Sequence, residues 1–366
     1  MSEFVRRDYS IVGPEKEKAI AKGLANARWY QCPIPRKRLK ELMVRRDGPP
    51  LLNTILWFAA LGASGWLAYL SWNTWWAIPA FLFYGTIYAV GATARWHEFS
   101  HGTPFRTSWA NEAMYQLCAF LILNQATHFR WSHVRHHTDT YIVGRDLEIM
   151  EPRPPMMKRL VRHVLKIQDI YGAFKALFLR AFGKLSKEDR EIIPESEFRK
   201  VRWEARAYLI GYGAVIAACI AMKSIMPLMF IGLPAFYGGL LMTLLNSTQH
   251  LGLYEDTPDH RLCCRTFYTN PFLRFLYCNM NYHMEHHMFP MVPFYNLPAL
   301  HEEIKHDCPA PAPSFTAALK ETISALLQEF KDPTYIVPKY REFAEKVRAR
   351  ANAPAAGQNP PLALSE

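Results

Sequence analysis

The amino-acid sequence predicts an all-α integral membrane protein with four transmembrane helices in two hairpins and a cytosolic helical cap. Three observations lead to this fold class. Half of the 366 residues are apolar, which excludes a disordered chain. The charged residues are almost absent from two long stretches, 48–94 and 207–254. No stretch alternates apolar and polar residues strongly enough to indicate a β-strand.

The first stretch contains no charged residue and is long enough for two crossings of about 20 residues each. We place these spans at about 52–71 and 75–94. The turn between them is rich in tryptophan, as is typical of a membrane interface.

The second stretch contains a single charge, Lys223, and predicts spans at about 207–222 and 225–245. Pro227 and Pro234 lie in its second arm, and membrane helices tolerate proline where neighbouring groups satisfy the freed backbone. The alternative is two pairs of buried core helices in a soluble protein, which the paired lengths of the stretches disfavour.

The positive charges predict the orientation. If both hairpins enter from one face, 42 of the 43 Lys and Arg residues lie on that face, which is then cytoplasmic. We therefore expect an inner (cytoplasmic) membrane or endoplasmic reticulum protein whose termini and functional site are cytosolic. The charged N-terminus lacks an apolar signal region, so no cleaved signal peptide is expected. The seven cysteines are expected to be reduced thiols.

Residues 1–50 hold 12 Lys and Arg against 6 Asp and Glu, which favours contact with anionic lipid and not with nucleic acid. The membrane domain is assigned to 51–300, a C-terminal helical segment to 301–350 and a disordered tail to 351–366. Within the membrane domain, the apolar stretch 113–124 is too short to span and predicts a re-entrant or interfacial segment.

Apolar residues recur at helical spacing between Ile167 and Ala181, interrupted by lysine and arginine. This pattern predicts an amphipathic helix. Such a helix could lie on the membrane surface or pack on the core of a cytosolic domain, and the sequence favours neither position.

Nine of the 14 histidines form groups with helical spacing. Residues at positions i, i+3 and i+4 share one helix face, so each group can direct two imidazoles at one point. Every group lies just cytosolic of a predicted span or within a cytosolic segment. The nine histidines are His97 and His101; His133, His136 and His137; His250; and His283, His286 and His287.

Nine imidazoles are too many for one ion, and four or five per ion implies two ions. Imidazole suits Fe, Zn, Cu and Ni, so ligand type alone does not identify the metal. A structural zinc site is usually closed by four ligands, often thiolates, so the sequence favours a redox pair of metals with open positions. We interpret the isolated His163, His260, His301 and His306 as surface or capping residues, and expect no direct role for His128.

With these motifs in place, the chain resembles the membrane-bound fatty acid desaturase superfamily, which includes hydroxylases and ketolases. The resemblance rests on three histidine boxes in order, HEFSH, HVRHH and HMEHH, with a second hairpin before the third. It covers about residues 50–300. It implies two iron ions as the cofactor, O₂ as the co-substrate and no catalytic residue beyond the metal centre.

The resemblance also implies the iron ligands. These are the nine histidines above, with Asn246, four residues before His250, holding an iron-bound water. The first box has three intervening residues and not the four of acyl-CoA Δ9 desaturases, which does not favour an acyl-CoA substrate. Carboxylates should hold the imidazoles in place. The candidates are Glu98, Asp139, Asp146, Glu148, Asp256, Asp259 and Glu285, with Glu98 and Glu285 ranked first.

The predicted activity is insertion of a double bond into an aliphatic or fatty acyl chain that enters from the bilayer, or hydroxylation of that chain. No haem-binding HPGG motif is present, so the resemblance implies a separate ferredoxin or cytochrome b5 type donor with a reductase. The basic cytosolic face would suit an acidic donor or anionic lipid equally. Two alternatives stay open: a hydroxylase or ketolase of a terpenoid, carotenoid or small alkyl compound, and a histidine-rich membrane metal transporter.

Overall fold

The computed structural model describes residues 6–165 and 167–352, and in that part of the chain it contains helices and no β-strand. Two isolated bridges, Thr266 with Tyr282 and Phe267 with Ala312, are the closest approach to a sheet there. The predicted all-α class is therefore confirmed. The predicted disordered tail, 351–366, lies outside the described residues from 353 onward.

Nineteen α-helices follow one another in the described residues. The N-terminal half contains α1 (Pro14–Ala21), α2 (Arg36–Leu42), α3 (Gly48–Leu70), α4 (Ala77–Ser100), α5 (Ser108–Leu121), α6 (Ala126–Thr138), α7 (Met157–Leu165), α8 (Ile167–Ala181) and α9 (Lys187–Ile192). The C-terminal half contains α10 (Phe198–Ala221), α11 (Met226–Phe230), α12 (Pro234–Tyr237), α13 (Leu240–His250), α14 (His260–Cys263), α15 (Pro271–Leu276), α16 (His283–Met288), α17 (Leu297–Ile304), α18 (Phe315–Glu329) and α19 (Pro338–Asn352).

Three helical segments among the described residues are long and apolar enough to cross a membrane: α3, α4 and Glu195–Ala221, which contains α10. They correspond to the first three predicted spans, although α4 and α10 extend further than the sequence indicated. The turn between α3 and α4 exposes Trp75 and Trp76, as expected where a hairpin meets the membrane interface.

The fourth predicted span is not one helix. Residues 225–245 form α11, α12 and the start of α13, with the C-cap Gly238 between α12 and α13. Pro234 begins α12 because it cannot donate the backbone N–H that would extend α11, and Pro227 lies in the first turn of α11. Gly232 between them adopts a positive φ of 93°, where a Cβ would lie 2.6 Å from the Tyr212 ring. The continuous fourth helix is therefore wrong, and a four-span topology stays a prediction.

The helix α4 is more deeply buried than α3 because two glycines let neighbours approach it closely. A Cβ at Gly91 would lie 2.1 Å from Nε1 of Trp57, and a Cβ at Gly85 would lie 2.3 Å from the Tyr237 ring. Near its end, the buried Arg95 donates to Oδ1 of Asn53 at 2.6 Å. A buried charge in a membrane helix needs such partners.

The helix α5 lies between α4 and α10, fixed by tyrosine hydroxyls. Tyr88 of α4 donates to the carbonyl oxygen of Leu121 at 2.8 Å, and Tyr212 of α10 donates to that of Phe120 at 2.6 Å. The histidines before and after α5 meet in space, with Nε2 of His101 and His133 3.1 Å apart, so the chain between them returns to the level at which it began. Its predicted position inside the membrane stays a prediction.

The amphipathic helix predicted over Ile167–Ala181 is present as α8. Its inner face buries Leu177, while Tyr171 and Phe178 are exposed on the outer face. The inner face packs on α10, where the Phe174 and Tyr212 ring centroids lie 5.8 Å apart. The exposed aromatic face suits a membrane surface, which stays a prediction.

The contact between α4 and α12 predicts that Gly238 cannot be enlarged. A Cβ at Gly238 would lie 1.9 Å from the backbone carbon of Gly85, which has no flexible end that could move away. Gly238→Ala should therefore destabilise the protein by about 1–3 kcal/mol or more, the range for overpacked cores. Thermal unfolding in detergent measures this effect.

Gly213→Ala in α10 is the matched control, since its Cβ would meet no described atom within 4 Å. This change should leave stability unchanged or raise it by up to about 1 kcal/mol. Equal melting temperatures for the two variants would contradict the predicted contact.

Candidate metal centre

Four helices direct histidines into one buried layer. His97 lies near the end of α4, and His101 is its C-cap residue. The helix α6 contributes three histidines, α13 ends at His250, and α16 contributes the last three. The helical spacing of the boxes therefore has the consequence that the sequence predicted: all nine imidazoles come together.

The nine imidazoles divide into two groups, each with its ligand atoms within 4.8 Å of one another. The five-histidine group consists of His97, His101, His133, His137 and His286. The four-histidine group consists of His136, His250, His283 and His287. Each HxxHH box supplies both groups: its i, i+4 pair stays together, and its middle histidine goes to the other group.

In both groups the Nε2 atoms face one another. In the five-histidine group, Nε2 of His133 lies 3.1 Å from Nε2 of both His101 and His137. In the four-histidine group, Nε2 of His283 lies 2.9 Å from that of His250 and 3.0 Å from that of His287.

These separations fit a shared metal ion. Two nitrogens bound at right angles, each about 2.1 Å from a metal, lie about 3.0 Å apart. Nε2 of His97 and Nε2 of His286 are buried with no hydrogen-bond partner among the described residues. A metal ion would satisfy both atoms, and a neutral imidazole donor set suits iron. Metal binding by the predicted ligands stays a prediction.

Carboxylates hold the outward-facing Nδ1 atoms of three of these histidines. Oε1 of Glu98 lies 3.1 Å from Nδ1 of His97. Glu148 lies 3.2 Å from Nδ1 of His133, and Asp146 lies 2.8 Å from Nδ1 of His136. Such contacts keep the proton on Nδ1 and leave Nε2 for the metal.

Other predicted carboxylates act elsewhere. Asp139, Asp256 and Asp259 pair with arginines. Glu285 is fully buried but contacts His301, with Oε1 2.5 Å from Nδ1, and it accepts a hydrogen bond from Thr266. Its role is therefore to anchor α16 to α17, and not to orient a ligand imidazole directly.

The surface interpretation of His260 and His301 is wrong, because both are buried. His301 is enclosed by Glu285 and by the Tyr268 hydroxyl, which lies 3.0 Å from its Nε2. His260 stacks on Trp29. Both have partners distant in sequence, so no local spacing could have identified them.

The remaining isolated histidines lie outside both groups. His306 is exposed, and His163 is partly exposed, with Nε2 3.8 Å from Glu151. His128 lies 3.4 Å from Asp189.

Burial favours the neutral form of most of these imidazoles, which is the form that binds metal. It lowers the pKa of His250 to about 3. It also lowers the pKa well below the ordinary value in His133, His137, His283, His286 and His287. His136 differs, since burial opposes its charge but Asp146 and Glu148 raise its pKa to about 9.

A cavity of about 630 Å³ reaches the four-histidine group at His136 and His250. One wall follows α4 through Ala89, Thr93 and Trp96, at the spacing of one helix face. A second wall follows α12 and α13, and a third is the inner face of α8. Asn246 lines this cavity one turn before His250. Its role in holding an iron-bound water stays a prediction.

A family model described as fatty acid desaturase matches residues 73–318, about two thirds of the chain. The chain therefore belongs to the fatty acid desaturase family, and the resemblance based on its histidine boxes is confirmed. This family implies an oxidoreductase. No curated protein matches the chain.

Removing one imidazole from either group should cost metal. His137→Ala and His283→Ala each delete a ligand of a different group, so each should lower the affinity of one ion. The loss should exceed the about 10- to 100-fold cost of removing a residue that only supports a ligand. Metal per chain, measured by mass spectrometry of purified protein, checks this. The exposed His306→Ala is the control, and full metal content in both ligand variants would refute the assignment.

The raised pKa of His136 predicts that metal loading depends on pH. In the metal-free protein His136 is protonated below about pH 9, and a metal ion must displace that proton. The apparent affinity of the four-histidine group should therefore rise about tenfold per unit between pH 7 and 9, then level off. Anaerobic competition for Fe²⁺ against a chelator measures this.

Asp146→Asn provides the comparison for this pH dependence. Without that carboxylate, burial should dominate and the pH dependence should flatten. An unchanged slope in this variant would count against the assignment.

Proposed function

We propose that this member of the fatty acid desaturase family is a membrane-bound oxidoreductase that uses two iron ions and O₂. It would introduce a double bond into an aliphatic or fatty acyl chain, or hydroxylate that chain. The observation that supports this most is the convergence of nine imidazoles, in two groups, beside a cavity that follows an apolar helix.

Iron held by these imidazoles, supplied with electrons and O₂, would provide the oxidising power that an unactivated C–H bond requires. The protein's own contribution is placement. The carboxylates of Glu98, Asp146 and Glu148 hold protons on the outer nitrogens of three imidazoles. The inner nitrogens then stay free and aligned within each group.

The cavity suits an extended apolar chain. From Ala89 to Trp96 its wall follows α4 for about 10 Å, at 1.5 Å per residue. A chain lying along this wall would bring one of its carbons beside His136 and His250, with Phe236 and Met242 on the same cavity lining. Small differences in the position of that carbon would decide between desaturation and hydroxylation.

Electrons would come from a separate donor, of the ferredoxin or cytochrome b5 type with its reductase. The net charge of +11 would attract an acidic donor as well as anionic lipid. The same charge distribution supports a cytosolic site in an inner (cytoplasmic) membrane or the endoplasmic reticulum.

Metabolite profiling of expressing cells tests this function. Cells with the wild-type protein should accumulate a lipid product that is absent from cells with His137→Ala, while His306→Ala cells should match the wild type. Loss of two hydrogens in the product mass would assign desaturation, and gain of one oxygen would assign hydroxylation. Identical profiles without donor-dependent O₂ consumption would refute an oxidoreductase and favour a metal transporter.

A further inference from the structure

A fully buried hydroxyl, that of Thr140, connects the four-histidine group to a histidine outside it. Its Oγ1 lies 2.6 Å from the backbone carbonyl oxygen of His136, 3.2 Å from Nδ1 of His287 and 3.3 Å from Nε2 of His260. His136 and His287 both belong to the four-histidine group. One hydroxyl therefore contacts two of the four residues that could hold that ion.

The chemistry of a hydroxyl determines which partner donates. Thr140 offers one proton and two lone pairs. The carbonyl oxygen of His136 can only accept, so the Thr140 proton points at it, and both imidazole nitrogens must donate to Oγ1. His287 then carries its proton on Nδ1 and leaves Nε2 unprotonated. That Nε2 is the atom 3.0 Å from Nε2 of His283, on the side of the candidate ion.

His260 is held from its other side by the N-terminal segment. Its ring stacks on Trp29, with centroids 4.2 Å apart and planes 13° from parallel. Trp29 is itself fixed, because its Nε1 donates to the carbonyl oxygen of Thr138 at 2.8 Å. With Nε2 of His260 donating to Thr140, Nδ1 is buried and has no hydrogen-bond partner in the described part of the chain. His260 can therefore orient Thr140 without itself belonging to either group.

We propose that Thr140 and His260 are positioning residues that fix the tautomer and the ring orientation of His287, a role that rests on the proposed two-iron site. Residues that support a metal-binding histidine typically change metal affinity about 10- to 100-fold. The hydrogen bonds of Thr140 reach the four-histidine group and not the five-histidine group. The effect of losing them should therefore be confined to one of the two ions.

Thr140→Val removes the hydroxyl and nearly preserves the side-chain shape. It should lower the affinity of one iron ion about 10- to 100-fold, so that purified protein retains about one iron per chain instead of two. Thr140→Ser restores the hydroxyl and should restore the second iron. Thr322→Val is the matched control, since Thr322 is also fully buried and donates to a backbone carbonyl, that of Ala318, at 2.9 Å in α18.

The measurements are iron per chain and the Mössbauer spectrum of the iron-loaded full-length protein. The wild type should give two iron components, and Thr140→Val should lose one of them. His260→Phe keeps a ring on Trp29 but removes the donor to Thr140, and should weaken the same component by less. Two irons at wild-type affinity in Thr140→Val would overturn the proposal, as would a Thr140→Ser variant as impaired as Thr140→Val.

If Thr140→Val does not fold, His260→Phe decides, because unchanged iron affinity and an unchanged spectrum in that variant would overturn the proposal. A wild-type protein that binds no iron would instead refute the proposed function. The two failures are therefore distinguishable.

Discussion

The packing of nine imidazoles into one buried layer is the constraint on which the rest of the structure depends. Six of their Nε2 atoms, three in each group, approach neighbouring Nε2 atoms within 2.9–3.1 Å, a spacing that is favourable only if a metal ion or a proton lies between them. Glu98, Asp146 and Glu148 occupy the opposite nitrogens of three rings. Four helix ends must therefore meet at one level, and the surrounding helices must exclude water.

Two segments reach the histidine layer in different ways, one as an unbroken helix and the other as a broken one. The helix α4 runs unbroken into the first histidine box, with the buried Arg95 held by Asn53. The polypeptide that ends at His250 is broken on both sides of α12, and these breaks place Tyr237 and Gly238 against Gly85 of α4. Close backbone contact between two small residues, a common device in membrane proteins, thus fixes α13 relative to α4.

Helical periodicity explains why so much of the site could be predicted. In each HxxHH box the i, i+4 pair belongs to one histidine group, and the middle histidine, about 100° around the helix from its neighbour, belongs to the other. Which histidine of a box joins which group depends on how four helices cross, and no local sequence pattern encodes that crossing. The sequence does not predict the burial of His260 and His301 for the same reason, since Trp29 and Glu285 reach them only through tertiary packing. Pro234, which marks the break before α12, is visible in the sequence, but the contact of Gly238 with Gly85 depends on tertiary packing.

The division of the third box between the two groups also sets the order of events during biosynthesis. His286 completes one group, and His283 and His287 complete the other, so neither has its full set of nitrogens until the ribosome has passed residue 286. The candidate membrane helices α3 and α4 end nearly two hundred residues before that point. The nascent chain therefore contains both candidate membrane helices before either histidine group is whole, so a metal ion held by these groups would enter late in maturation.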